Sequence, residues 1–286
     1  MITRAEARAD ATARLRPSTD PRHPTAALDA DLLLAHVCGV TKEVLYAHLD
    51  APMTADELAR YSAMVERRAA GEPVAYLRGY KEFFGLRFTV DPRVLIPRPE
   101  TEVLVEAVLA FARDTARMRI VDVGTGSGAI AVAIAASEPR ARVIATDVSG
   151  DALDVARANA AANGVADRVD LREGDLLAPV DGEVDAVAAN LPYLRADAVE
   201  HLTGERTSLA FEPHVAVVSG PNGLDVIRRC IDQLPGTLAV GGAAFFECDP
   251  PQVDTVQDLL RDRIHATTRV LRDLTGSPRV VEGRRG

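Results

Sequence analysis

The spacing of apolar residues changes near Gly71. Before that position, apolar side chains return every three or four residues, as in residues 27–38, which is typical of a helix. Thr54 followed by Glu57 indicates a capping box at the start of another helix. Prolines between residues 17 and 24 mark a loop. The first part of the chain therefore predicts a small helical domain.

A second pattern occupies residues 75–90, which are rich in aromatic side chains and interrupted by glycines. Such a segment predicts a β-hairpin or a short extended connector. Three prolines follow, and residues 100–112 then return to helical spacing. We therefore expect a helical domain over residues 1–72 and a hairpin linker over residues 73–96.

From Arg119 onward, short apolar runs alternate with helical patterns. Strands are expected at residues 120–123, 143–146, 169–172 and 184–189, and helices at 128–136, 151–163 and 224–234. Gly241 and Gly242 indicate a turn into a further strand that ends at Glu247. Strand–helix alternation predicts an α/β fold over residues 97–286, with helices on both faces of a doubly wound parallel sheet.

Composition narrows the class of protein. With 47% hydrophobic and 26% charged residues, the chain is expected to fold as a globular protein. A net charge of −9 argues against tight nucleic-acid binding through bulk phosphate neutralisation. The C-terminal arginines are expected to form a solvated surface and a frayed tail. Neither a metal site nor an apolar run of about 18 residues is apparent, so we expect a cytoplasmic protein without a membrane segment.

A glycine-rich turn follows the first predicted strand and reads Asp122-Val123-Gly124-Thr125-Gly126-Ser127-Gly128. Glycines allow a tight turn and let backbone N–H groups approach a ligand at a helix N-terminus. Asp147 ends the next predicted strand, where a carboxylate can accept hydrogen bonds from a ribose diol. Asp175 and Leu176 follow the third strand, at the usual position of an adenine. Together these residues predict a nucleoside site.

The glycine spacing separates two kinds of nucleoside site. It is G-x-G-x-G rather than the G-x-G-x-x-G of dinucleotide-binding proteins. The turn resembles motif I of the class I S-adenosyl-L-methionine methyltransferases, and Asp122 beside it would suit the cationic amine and sulfonium of that ligand. The expected cofactor-binding residues are Gly124, Thr125, Gly126, Ser127, Gly128, Asp147, Asp175, Leu176 and Asn190.

Asn190-Leu191-Pro192-Tyr193 follows the fourth predicted strand and identifies the class of methyl acceptor. It matches the (N/D)-x-P-(Y/F) signature of methyltransferases that act on planar amino or amide nitrogens. The Asn190 side-chain oxygen and the Leu191 carbonyl can each accept one N–H of such a group. Pro192 biases Leu191 toward an extended conformation, and Tyr193 can pack flat against the acceptor. These four residues are the expected catalytic residues.

At this point the sequence resembles the peptide chain release factor glutamine methyltransferases, the HemK/PrmC family. The resemblance covers nearly the whole chain and includes Gly71-Glu72-Pro73-Val74-Ala75-Tyr76-Leu77-Arg78-Gly79 and Ile96-Pro97-Arg98-Pro99-Glu100-Thr101-Glu102. It implies a substrate-recognition domain at the N-terminus and a Rossmann-like catalytic domain. It also implies methylation of the glutamine in the Gly-Gly-Gln motif of class I release factors.

The chain departs from the family pattern at several positions. The family usually has proline in place of Leu191 and an aromatic residue in place of Leu176. Its E-I-G-x-x-Q run reads Glu247-Cys248-Asp249-Pro250-Pro251-Gln252 here, and its G-G-x-D-G run reads Ser219-Gly220-Pro221-Asn222-Gly223. Two other functions therefore stay open at this stage. One is an adenine amino-methyltransferase of ribosomal RNA, and the other is a non-catalytic paralogue.

Overall fold

The computed structural model describes residues 1–16, 25–113, 118–195, 197 and 208–286. The proline-rich loop expected at residues 17–24 lies outside these ranges. The described residues form two compact units. The first takes its residues from Met1–Gly79 and Leu202–Phe211, and the second from Tyr80–His201 and Glu212–Gly286.

The first unit is helical, as predicted. Its helices are α1 (Arg4–Leu15), α2 (Ala26–Cys38), α3 (Lys42–Ala47), α4 (Ala55–Ala69) and α5 (Val74–Arg78). Thr54 and Glu57 form the expected capping box of α4, and Thr3 and Glu6 form a second one before α1. Apolar side chains of α1 to α4, among them Leu15, Leu33 and Val65, meet in one buried cluster.

Residues 74–78 correct one expectation, because they form helix α5 and not the start of a hairpin. Gly79 ends this helix with a left-handed φ of 74°. The hairpin itself is shorter than predicted and pairs β1 (Tyr80–Phe83) with β2 (Leu86–Thr89). Its two-residue turn has positive φ at both positions, Phe84 and Gly85, as a tight hairpin turn requires.

The second unit contains a seven-stranded sheet in the order β5-β4-β3-β6-β7-β9-β8. The strands are β3 (Met118–Val123), β4 (Ala141–Asp147), β5 (Val169–Glu173), β6 (Val184–Ala189), β7 (Leu238–Glu247), β8 (Thr267–Arg272) and β9 (Pro278–Arg284). Strands β3 to β7 run parallel, and β9 is antiparallel to both of its neighbours. The parallel α/β core was predicted correctly.

Helices cover both faces of this sheet. They are α6 (Glu102–Ala112), α7 (Ala129–Ser137), α8 (Gly150–Ala162), α9 (Asp225–Gln233) and α10 (Val253–Ile264). Alternate residues of the central strands join opposite clusters: Ile120 packs with α6 and α7, whereas Val121 packs with α9 and α10. Burial on both faces explains why these strands are continuously apolar in the sequence.

The C-terminal end corrects two expectations. The arginine-rich end forms β8 and β9 rather than a frayed tail, because Arg269 and Arg284 both pair with the buried carboxylate of Glu282. Strand β7 is also continuous through Gly241 and Gly242, where a turn was expected. None of the helices in the described ranges is long and apolar enough to cross a membrane. Those same ranges hold no His, Cys, Asp and Glu cluster suited to a metal ion.

Candidate active site

A cavity, here called the main cavity, opens at the carboxyl ends of β3, β4 and β6. An open α/β sheet ordinarily binds its ligand at this edge. The cavity volume is about 220 Å³. Eight of the predicted site residues line it: Gly124, Gly126, Asp147, Asp175, Leu176, Asn190, Leu191 and Pro192. Four do not: Thr125, Ser127, Gly128 and Tyr193.

The glycine turn brings bare backbone to the wall of the cavity. Gly124 has a φ of 70°, and an added Cβ would stand 2.9 Å from Leu191 Cδ2. Gly128 has a φ of 79° and would bring a Cβ to 3.1 Å from Ala156. A side chain at either position would therefore be strained and crowded. Gly128 serves the packing of α7 on α8, whereas Gly124 faces the cavity.

Thr125 and Ser127 are buried within the turn and hold its shape. The Thr125 hydroxyl donates to Asp122 over 2.6 Å. The Ser127 carbonyl accepts from the side-chain amide of Asn159 at 2.8 Å, and the same amide binds Thr89 of the hairpin. These two residues support the turn from behind, on the side away from the cavity.

Asp122 also lies behind the turn, which differs from the expectation that it would face a cationic ligand. Its side chain is fully buried and accepts hydrogen bonds from the Thr125 hydroxyl and the Ala131 N–H. Burial raises the pKa of Asp122 to about 7. The carboxylate therefore ties the turn to the first residues of α7.

Asp147 lies at the end of β4 and lines the main cavity, as predicted. Its two oxygens accept from the N–H groups of Gly126 at 2.9 Å and Ser149 at 3.0 Å. Burial raises the pKa of Asp147, and the backbone hydrogen bonds oppose that rise. Each oxygen has a second lone pair, so a carboxylate held in this way can still accept from ligand hydroxyl groups.

Part of the cavity lining is apolar. Leu176 is buried with a φ of 54°, and Val148 and Val215 line the same cavity while remaining exposed. Asp175 pairs with Arg229, which also lines the cavity. A polar edge beside an apolar wall suits a purine base, because the ring needs apolar contact and its amino group needs an acceptor.

The segment from Asn190 to Tyr193, here called the acceptor loop, leaves the end of β6. Asn190 Nδ2 donates to the buried hydroxyl of Thr101 at 3.0 Å. Tyr193 lines a neighbouring cavity, and its hydroxyl donates to Glu247 Oε1 at 3.4 Å. The Tyr193 carbonyl accepts from Gln252 Nε2 at 2.9 Å. The loop is thus held by side chains from three other segments.

Sequence reasoning had not assigned a role to those three partners. Thr101 lies in a short 3₁₀ turn before α6, Glu247 ends β7, and Gln252 precedes α10. Glu247 could have been found as an acid at the carboxyl end of the strand next to β6. Burial raises the pKa of Glu247 to about 7, and hydrogen bonds from Thr101 and Tyr193 oppose that rise. Gln252 had no signal beyond its place in a family motif.

Arg98 precedes the 3₁₀ turn that leads into α6. The structure pairs it with Glu212 at 2.5 Å, and the Glu212 side chain is completely buried. Glu212 also accepts from the Ile96 N–H at 3.2 Å. This ion pair fixes the segment that leads into α6.

Family models and curated relatives both match this chain. The PrmC N-terminal domain model matches residues 6–79, and the methyltransferase small domain model matches residues 99–207. The release factor glutamine methyltransferase of Koribacter versatilis is 40% identical over 267 residues, covering 92% of each chain. That of Deinococcus radiodurans is 38% identical over 275 residues, covering 96% of each. The chain belongs to the release factor glutamine methyltransferase family.

Solved structures agree on the fold of this family member. The hMettl16 catalytic domain, solved in complex with MAT2A 3′UTR hairpin 1, gives a TM-score of 0.53 at 16% identity and covers 84% of each chain. At that identity the likeness shows the fold alone, which is that of a class I methyltransferase. The methyltransferase domain and the release factor glutamine methyltransferase relatives identify S-adenosyl-L-methionine as the methyl donor. The carboxylate, the apolar side chains and the bare glycine backbone that line the main cavity suit the polar and apolar groups of this donor.

Proposed function

We propose that this protein transfers a methyl group from S-adenosyl-L-methionine to a glutamine side-chain amide, in the Gly-Gly-Gln motif of class I peptide chain release factors. One observation carries the proposal. The glycine turn and the acceptor loop line the same cavity, the turn through Gly124 and Gly126 and the loop through Asn190 to Pro192. A donor and an acceptor bound there would share one enclosed space.

The acceptor loop supplies what an amide nitrogen needs as a nucleophile. The lone pair of an amide nitrogen is delocalised into the carbonyl, so its N–H groups must be held while the nitrogen approaches the methyl carbon. Asn190 Oδ1 and the Leu191 carbonyl would accept those two N–H groups. The N–C bond forms as the S–C bond breaks, and the displaced proton leaves to solvent. Catalysis is then mainly positioning and electrostatic preorganisation.

The remaining cavity residues would bind the donor, which supplies an electrophilic methyl carbon when bound. We assign Asp147 to the ribose hydroxyl groups, because its carboxylate is fixed by Gly126 and Ser149 and faces the cavity. We assign Leu176 and Asp175 to the adenine, since they form the apolar wall and its polar edge. The backbone at Gly124 and Gly126 would lie against the methionine portion.

The N-terminal helices would recognise the release factor at a distance from the methylated glutamine. This assignment ends the helical unit at Gly79 rather than at the predicted residue 72, and the linker over residues 73–96 and the catalytic domain over residues 97–286 stay predictions. It rests on the family match over residues 6–79 and on the separate buried cluster of the helical unit. Release factors work at cytoplasmic ribosomes, so the same proposal places the protein in the cytoplasm.

The test is mass spectrometry of a purified class I release factor after incubation with this protein and S-adenosyl-L-methionine. We expect a gain of one methyl group on the Gly-Gly-Gln glutamine. Asn190→Ala should lower the rate at least about 100-fold, since it removes an acceptor that positions the nucleophile. Asn163→Ala makes the same chemical change at the end of α8, outside the main cavity, and should retain the wild-type rate.

Two outcomes would contradict the proposal. Methylation of ribosomal RNA without methylation of the release factor would support an adenine amino-methyltransferase. Cofactor binding without methyl transfer to either substrate would support a non-catalytic paralogue. A calorimetric titration with S-adenosyl-L-methionine separates this second outcome from a misfolded preparation.

A further inference from the structure

Asn159 is a buried amide behind the glycine turn. It lies in α8, it is 1% exposed, and it does not line the main cavity. Its Nδ2 donates to the Ser127 carbonyl at 2.8 Å and to the Thr89 carbonyl at 3.0 Å. Its Oδ1 accepts from the Thr89 N–H at 2.7 Å. One side chain therefore joins the end of strand β2 to the glycine turn.

Only one orientation of the Asn159 amide satisfies these contacts. Two carbonyl oxygens face Nδ2, which carries two N–H donors, and one N–H faces Oδ1, which accepts. A flipped amide would set Oδ1 against both carbonyls and Nδ2 against the Thr89 N–H. An asparagine is thus matched to the main chain of the hairpin and of the turn at the same time.

Both attachment points lead directly to residues that line the main cavity. Ser127 follows Gly126 in the glycine turn, and Gly126 lines the cavity. Thr89 ends β2, and the chain that leaves it lines the cavity at residues 93–95. Asn159 therefore fixes two separate segments of the cavity lining relative to each other.

The hairpin is anchored well enough to serve as a support for the turn. Phe83 and Phe88 are buried and belong to the same apolar cluster as Ile130 of α7. At the tip of the hairpin, the Phe84 N–H donates to Glu102 Oε1 at 2.8 Å. With the hairpin held by its apolar face and at its tip, the Asn159 amide adds a polar link from it to the glycine turn.

The glycine turn needs such a support because its own residues supply little order. Gly124, Gly126 and Gly128 all have positive φ, between 53° and 79°, and glycine loses more conformational freedom on ordering than any other residue. A ligand that requires the ordered turn binds with a Kd that rises as the ordered fraction falls. A hydrogen bond to the Ser127 carbonyl raises that fraction before the ligand arrives.

We propose that Asn159 is a positioning residue of the methyl-donor site, which couples the end of the hairpin to the glycine turn and keeps that turn in the conformation that binds S-adenosyl-L-methionine. The hairpin then supports the donor site, in addition to connecting the two units along the chain. This inference rests on the donor-binding part of the proposed function, since it concerns the same glycine turn.

Asn159→Ala in the full-length protein removes all three hydrogen bonds. We expect the Kd for S-adenosyl-L-methionine, measured by calorimetry, to rise about 10-fold, as it would if the turn were ordered in about a tenth of the molecules. The KM for S-adenosyl-L-methionine should rise similarly, while kcat at a saturating concentration stays within about threefold of wild type. A purely structural role would lower the melting temperature without this division between KM and kcat.

Asn163 offers a matched control in the cap of the same helix. Its Nδ2 donates to the Arg87 carbonyl of the hairpin at 3.1 Å and to the Asn159 carbonyl at 2.9 Å. Asn163→Ala makes the same chemical change and loosens the hairpin without breaking the bond to Ser127. We expect its Kd for S-adenosyl-L-methionine to stay within about twofold of wild type. A rise as large as that of Asn159→Ala would overturn the inference.

Asn159→Asp keeps the shape of the side chain and removes its donors. One carboxylate oxygen can still accept from the Thr89 N–H, but the other faces the carbonyls of Thr89 and Ser127 and repels them. We expect the Kd to rise at least about 10-fold at neutral pH. A folded Asn159→Asp protein with the wild-type Kd would contradict the proposed role of Nδ2.

Hydrogen exchange in the wild-type protein tests the coupling without any variant. Coupling between two sites is reciprocal, so S-adenosyl-L-methionine should slow exchange of the Thr89 N–H, which donates to Asn159 and lies outside the cavity lining. We expect a several-fold slowing at this amide, resolved by NMR. Unchanged exchange at Thr89 on saturation with the donor would overturn the inference, whether or not the variants fold.

Failure of this inference is distinct from failure of the proposed function. The wild-type Kd in both Asn159 variants, alongside a wild-type protein that methylates the release factor, would overturn the positioning role alone. A wild-type protein that binds S-adenosyl-L-methionine without methylating the release factor would overturn the proposed function, and the Kd values would still decide the role of Asn159. A folded wild-type protein that does not bind S-adenosyl-L-methionine would overturn both.

Discussion

The two carboxylate oxygens of Asp122 have different surroundings. Oδ2 accepts from the Thr125 hydroxyl and the Ala131 N–H, whereas Oδ1 is buried without a hydrogen-bond partner among the described residues. An ionised group there loses its hydration on one side without compensation. Burial accordingly raises the pKa of Asp122 from 3.8 to about 7. Ionisation of Asp122 in the glycine turn therefore lowers the free energy of unfolding as the pH rises.

Asp122→Asn should remove this pH dependence of the free energy of unfolding. Between pH 4 and 7 the folded protein keeps a proton on Asp122 that the unfolded chain has released, so raising the pH destabilises the folded state. The amide does not titrate. We therefore expect the free energy of unfolding of the variant to rise relative to wild type across this window, by at most about 1.4 kcal/mol per pH unit.

Thermal or urea unfolding at a series of pH values measures this difference. Asp154→Asn, on the exposed face of α8, controls for the loss of one charge. A stability difference between Asp122→Asn and wild type that stays constant from pH 4 to 7 would contradict the prediction.

Single residues were predictable where the backbone conformation requires a particular residue type. Gly124, with its positive φ and close approach to Leu191, could be identified from spacing alone. Thr101 could not, because its role depends on Asn190, which lies 89 positions away in the sequence. Asp122 was identified as important, but the sequence does not show whether its side chain faces the cavity or the interior behind the turn. Because this strand is buried on both faces, the alternation of its residues does not distinguish the two directions.

At the scale of elements, one ion pair holds the segment that leads into α6. Glu212 follows the described 3₁₀ turn Ser208–Phe211 and reaches back to Arg98 and to the N–H of Ile96. Its side chain is completely buried, whereas that of Arg98 is 32% exposed. Removing the arginine would leave a buried carboxylate without its counter-charge.

Arg98→Ala should lower the free energy of unfolding by about 1–3 kcal/mol, a range reduced from that of a fully buried pair because Arg98 is partly exposed. Adding Glu212→Gln should recover part of the loss, since the amide is neutral and can still accept from the Ile96 N–H. A double-mutant cycle by urea unfolding measures this coupling. Additive losses would contradict it. If Arg98 instead orients the release factor, kcat and KM would change while stability would not.

Element prediction succeeded where the periodicity was strong. The parallel strands and helices α6 to α9 appeared close to their predicted ranges, because the central strands are buried on both faces and read as apolar runs. Helix α10 had not been predicted. Helix α5 was missed since its five residues are too few to show a period. Strands β8 and β9 were missed because their arginines read as solvated surface. The partner that neutralises them, Glu282, lies within the same segment and is buried by the sheet.

At the scale of the whole molecule, the two units have separate buried cores. The helical unit has its own apolar cluster, and the sheet has two, one on each face. The residues that line the main cavity all fall between Arg93 and Arg229, within the second unit. The chain of the first unit extends to Gly79, the last residue matched by the PrmC N-terminal domain model. The division of the chain at Gly79 therefore coincides with the division between the core of the helical unit and the cores of the sheet unit.

This coincidence leads to a prediction that separates cofactor binding from substrate recognition. A chain shortened to residues 80–286 keeps every residue that lines the main cavity, so its Kd for S-adenosyl-L-methionine should match that of the full chain within about threefold. Its KM for the release factor should rise steeply, because the proposed recognition helices are gone. Calorimetry measures the first quantity and initial methylation rates the second. An unchanged KM would refute the recognition role of the helical unit. Loss of cofactor binding in a folded fragment would instead mean that the cavity depends on residues 1–79.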